Sequence, residues 1–159
     1  MSANETTLAT AGIGETGPAS AAVALRSDIF EMTAVAENAV LRPKETGRWP
    51  HPLRAALAAR IAALNGVGDL AVRYALEAGD FAGLANPASN GAAEGLGPVL
   101  AFMDKVAVET RNVVATDISA LQDTGVADAD IVRLSELNAF LAYQIRVVAG
   151  LRLMTEGKP

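Results

Sequence analysis

Apolar residues recur at three- and four-residue spacing over most of this chain, and no stretch alternates apolar and polar positions as a half-buried strand would. The spacing predicts helices. After a small, polar, Gly/Thr-rich stretch over 1–17, expected to be a loose arm, Pro18 suits the first turn of a helix running through Ala19–Arg26. Ser27-Asp28 can cap a second helix with Ile29, Met32, Ala36 and Val40 as its apolar stripe, ended by Arg42-Pro43. Pro52 opens a third, with Leu53, Leu57, Ile61 and Leu64 in phase, and Asn65-Gly66 breaks it before a fourth over Val67–Ala78. Residues 79–98 are punctuated by Gly and Pro and are expected to form a long connector. Val99, Leu100, Met103, Val106 and Ala107 mark a fifth helix. Thr116 or Asp117 caps a short one ending at Gly125, and Asp128 or Asp130 caps the last. There Ile131, Leu134, Leu141, Ile145 and Val148 form the expected buried stripe. The expected fold is an all-α, single-domain helical bundle over 18–155.

Composition sharpens this picture. The chain of 159 residues is 51% hydrophobic but only 4% aromatic, so its core is built from Ala, Leu, Val and Ile, which suits closely packed helices. A formal net charge of -5 argues against nucleic acid and anionic membrane as partners. No apolar run approaches the roughly 18–20 residues of a membrane span. No Lys or Arg precedes Arg26, so the charged start of a secretory leader is missing and the cytoplasm is the expected compartment.

Candidate chemistry is sparse. There is no cysteine, hence no disulfide, zinc knuckle, redox dithiol or thiolate nucleophile. Gly12 to Gly17 spells GxGxxG, but without a preceding strand it is expected to be a coincidence of a Gly-rich arm. The one histidine, His51, lies between Pro50 and Pro52 at a helix start. No carboxylates show metal-ligand spacing, and neither metal nor cofactor is expected. Asn138 falls on the apolar stripe of the last helix and Arg146 at its edge; a hydrogen-bonded core Asn and a snorkelling Arg are the plain readings.

The third and fourth helices, RAALAARIAALNGVGDLAVRYAL, resemble the core of the carboxymuconolactone decarboxylase-like family, whose redox branch is alkylhydroperoxidase D. The ending DTGVADADIVRLSELNAFLAYQIRVVAGLRL is similar to one bacterial subgroup of decarboxylase-domain, peroxidase-related proteins. With ALRSDIF and VLRP near the start, the likeness covers about 18–154. In the redox branch a Glu precedes a Cys-x-x-Cys pair and a His: one thiolate attacks peroxide, the other resolves the adduct, and His and Glu relay the proton. Anchored on Asn65-Gly66, this chain carries Ala55, Val67, Leu70 and Tyr74 at those four positions. The resemblance therefore implies an alkylhydroperoxidase D-like fold and a homo-oligomer, with the thiol peroxidase centre absent.

That leaves a non-catalytic member with a binding or structural role as the expected function. The alternatives are a non-thiol acid–base enzyme on a small carboxylated or lactone substrate, or a small-molecule sensor. His51, Arg54 and Tyr74, with Asn138, are the candidate pocket residues. The enzyme alternative requires His51, Arg54 and Tyr74 to converge.

Overall fold

Six alanines are spread through the helix His51–Leu64, and they decide the architecture. Methyl side chains let neighbouring backbones approach closely, so this helix (α4) is buried on every side, from Leu53 to Ile61 and Ala62. Pro50 is extended at its N-cap, Pro52 sits in its first turn, and Gly66 ends it at φ +75°. The rest of the chain wraps around it. The computed structural model describes residues 3–17 and 19–156. Before α4 come α1 (Ala3–Thr10), α2 (Ser20–Ala24) and α3 (Ser27–Leu41). After it come α5 (Gly68–Ala75), a 3-10 helix over Gly79–Ala85, α6 (Gly97–Val108), a 3-10 turn over Thr110–Asn112, α7 (Ala115–Asp123) and α8 (Asp128–Thr155). No strand occurs among the described residues, and no helix among them is long and apolar enough to cross a membrane.

The architecture is all-helical, as expected, but several local expectations differ, the helix caps among them: the N-caps of α3, α7 and α8 are Arg26, Val114 and Ala127, and Asp117 bonds the Val114 N–H from inside α7. Residues 3–10 are not a loose arm: they form α1, which lies against α3, α5 and α8 and buries Thr6, Thr7 and Thr10. The helix expected from Pro18 is reduced to α2, and Pro18 itself lies outside the described residues. The buried face of α3 is Phe30, Thr33, Glu37 and Leu41, one position out of phase with the expected stripe, and Met32 is exposed. The reason is that α3 faces polar partners on α8 and α1, which accept a threonine and a carboxyl. The 79–98 connector contains a 3-10 helix packed on α4.

Two buried arginines of α4 hold the irregular segments. The Arg54 guanidinium donates to the carbonyls of Val40, Thr46 and Trp49 at 2.8–2.9 Å, gathering the 42–50 connector over the start of α4. Trp49 is buried there and its indole N–H donates to Asp130 O at the start of α8 (2.8 Å). Gly47, at φ +58°, passes so close to Asp130 that a Cβ would collide with its carboxylate. Arg60 binds Asp104 of α6 through two N–H groups (2.6 and 2.7 Å) and donates to the carbonyls of Leu84, Asn86 and Pro87.

Candidate functional site

A polar cluster is built where α1, α3, α5 and α8 meet. α8 keeps a heptad-like run of buried residues, Leu134, Leu137, Leu141, Val148 and Leu151, and Gln144 takes the place in that run where an apolar residue is otherwise found. Its amide carbonyl accepts the Tyr74 hydroxyl (2.7 Å). Its amide nitrogen donates to Thr7 Oγ1 and to Glu37 Oε2, both at 3.1 Å. Thr33, one turn earlier on α3, exchanges a hydrogen bond with the Tyr143 hydroxyl (2.8 Å). Glu37 and Tyr74 are each only 1% exposed.

The second oxygen of Glu37 is anomalous. Among the described residues, Oε1 is the buried side-chain oxygen without a hydrogen-bond partner; the Arg42 guanidinium is 3.9 Å away. A buried carboxylate whose oxygens are half satisfied is costly to ionise. Burial accordingly pushes the Glu37 carboxyl up to about 7, with Glu77 adding to the rise, while Arg42 and hydrogen bonds from Thr6 and Gln144 oppose it. Burial, and next the neighbouring Glu37, push the Tyr74 hydroxyl far above its ordinary range, so it serves as a donor and not as a base.

Arg42 forms the wall between this cluster and solvent. Its Nε and Nη2 clasp the half-exposed Glu77 carboxylate (2.6–3.1 Å), and its Nη1 donates to Asn38 Oδ1 (3.1 Å). Outside that wall lies an open pocket of about 360 Å³, lined by Thr6, Asn38, Arg42, Arg73, Tyr74 and Glu77. It has a cationic side and an acidic edge, with the buried Tyr74 at its floor.

The sequence-predicted candidates are dispersed. Tyr74 alone reaches this pocket. His51 is exposed, with Nε2 2.9 Å from Pro43 O. Arg54 is buried and committed to three backbone carbonyls; burial lowers its pKa from the ordinary arginine value. Asn138 is a hydrogen-bonded core residue, donating to Met103 O (2.9 Å), and borders a separate hollow of about 110 Å³ with Asn65 and Arg146. Arg146 is exposed and donates to Ala142 O one turn back. Ala55, Val67 and Leu70 are packed in the core. The Gly12–Gly17 stretch follows a helix, not a strand. No group of three or more acidic or histidine residues that could hold a metal ion occurs among the described residues.

Glu37, Gln144, Thr7 and Arg42 were not among the sequence candidates. Two of them leave a trace in the pattern: Gln144 interrupts the heptad run of α8, and Glu37 lies in phase with Phe30 and Leu41. Nothing matches this chain among known families, curated proteins and solved structures.

Proposed function

We propose that this chain is a thiol-free relative of the carboxymuconolactone decarboxylase-like and alkylhydroperoxidase D-like proteins, and that it binds a small molecule without thiol chemistry. One observation carries the reading. Val67 and Leu70, which fall where that family's redox branch has its cysteines, are apolar core residues, while Tyr74 beside them donates to Gln144 and faces an open polar pocket. A peroxidatic cycle needs a thiolate to attack and a second thiol to resolve, and the chain supplies neither. Hydroperoxide consumption with a dithiol reductant is expected to equal that of heat-denatured protein. Turnover above that control would refute the reading.

The same reading includes a homo-oligomer. Its support is an apolar hollow of about 290 Å³ at Val23, Ile29, Phe30, Leu151 and Met154, with Leu25 and Leu153 largely exposed. An apolar hollow beside exposed leucines suits contact with a second copy. Light scattering is expected to give a mass at least twice 16.3 kDa; a monomer mass at high concentration would exclude assembly through this face.

A further inference from the structure

The pocket outside Arg42 has features that specify a ligand class. Arg42 presents a planar fork of donors, and that fork is filled by Glu77, whose carboxylate is 48% exposed and so open to competition from a carboxylate in solvent. Glu77 occupies the position that a carboxylate arriving from solvent would take. Arg73 adds a second cationic residue to the lining, and Leu76 gives it an apolar side. Behind Arg42 stands Glu37, buried, with Oε1 lacking a hydrogen bond and 3.9 Å from the same guanidinium. Arg42 thus faces two acids, one in the pocket and one in the core.

We propose that this pocket is a binding site for a small monocarboxylate clasped by Arg42, and that its occupation is coupled to proton uptake by Glu37. The proposal rests on the binding reading above and names the ligand class and the coupling.

The coupling follows from charge. The groups facing Glu37 are Arg42 at the end of its own helix, Tyr74 on α5, Glu77 just beyond α5, the uncharged Gln144 on α8, and Thr6 on α1. Of these, only Arg42 is a cation. An incoming carboxylate draws on the field of Arg42 and adds a negative charge beside Glu77. Both effects favour the neutral form of Glu37. Near neutral pH, where burial has already brought the carboxyl to about 7, part of the population is ionised and takes up a proton when the ligand binds.

The test is calorimetric titration with propionate, and with propionamide as its neutral counterpart, at pH 7.4 in phosphate and in Tris, whose ionisation enthalpies differ. Propionate is expected to bind saturably and propionamide not, with an apparent heat that changes between the buffers in the sense of proton uptake. Glu37→Gln, fixed in the neutral form that binding favours, is expected to bind propionate up to about threefold tighter at pH 7.4 and to lose the buffer dependence. Arg42→Met is expected to weaken binding about tenfold or more. Glu77→Gln, which removes the carboxylate that competes for the fork, is expected to tighten it about threefold. Equal binding of the amide, or no saturable binding of propionate, overturns the site. Buffer dependence that persists in Glu37→Gln, or is absent from the unsubstituted protein, overturns the coupling. These outcomes are independent of hydroperoxide turnover, which bears on the parent reading alone.

Discussion

Glu37→Gln is expected to make this protein more stable above neutral pH and to remove a decline in stability that the unsubstituted chain shows as pH rises. The sign follows from proton binding. Glu37 has its carboxyl raised from 4.5 to about 7 in the folded state, chiefly by burial. Between those values the folded chain holds a proton that the unfolded chain has released. Stability therefore falls with rising pH across this window: the contribution is fully present below about 4.5 and is lost once pH passes about 7. The side chain is 1% exposed, so little solvent screening applies, and the loss amounts to about 3 kcal/mol. A glutamine of the same shape is neutral throughout. Urea unfolding at pH 5, 6, 7 and 8 should give a falling curve for the unsubstituted protein and a flatter one for Glu37→Gln, crossing so that the variant is the more stable at pH 8. Both proteins keep every other titrating group, so the difference isolates Glu37. Parallel curves would mean that Glu37 ionises freely in the fold, and would remove the physical basis of its coupling to the pocket.

The opposite slope belongs to Asp117. The Lys105 ammonium (2.8 and 2.9 Å) and the Val114 N–H hold its carboxyl below the ordinary value. A depressed carboxyl stabilises the fold above its unfolded pKa and loses that contribution on acidification. The two effects occupy different pH ranges.

How far the chain could be read beforehand depends on whether a residue's partners lie on its own helix. The helical class, the break at Asn65-Gly66, the burial of Asn138 and the long final helix are all local consequences of spacing, capping and turn chemistry. The polar cluster is not local. Thr33 and Glu37 are polar members of a face of α3 one position off the expected apolar stripe, and they are buried because Tyr143 and Gln144, more than a hundred positions away, supply their hydrogen bonds. Likewise α1 buries threonines: Thr7 accepts from Gln144, and Thr10 donates to Thr6 O within the helix. Three small polar residues give a Gly/Thr-rich stretch no apolar periodicity, so it reads as an arm. Arg54 misled for the converse reason: an arginine near a histidine and a tyrosine in sequence suggests a ligand clamp, whereas its guanidinium donates to three backbone carbonyls at the end of α3 and in the connector after it.

Arg60 is the residue whose loss should unfold most, and it separates a packed connector from one that merely links helices. It is 3% exposed, and its guanidinium satisfies the Asp104 carboxylate together with the carbonyls of Leu84, Asn86 and Pro87. Arg60→Ala removes all of those donors at once and leaves buried or half-buried acceptors without partners. Removing one member of a fully buried ion pair typically destabilises by about 3–5 kcal/mol; Asp104 is 29% exposed and regains some hydration, so the lower end of that range is expected here. Arg60→Lys keeps the charge but offers one ammonium in place of a planar fork; it cannot reproduce the bonds to Asp104 and to all three carbonyls, so it should recover only part of the loss. The damage should also be directional. The 3-10 helix over Gly79–Ala85 packs on α4 with Leu84 buried, and Arg60 adds the hydrogen bonds that hold the backbone from Leu84 to Pro87, whereas the pocket at Arg42 is formed by α1, α3 and α5. Limited proteolysis of Arg60→Ala under native conditions should therefore cut first between about 86 and 96, while the Arg42–Glu77 pocket still binds propionate at temperatures below the melting transition. If cleavage began instead in α1, or if Arg60→Ala melted within about 2 °C of the unsubstituted protein, Arg60 would not be the fastening of this connector.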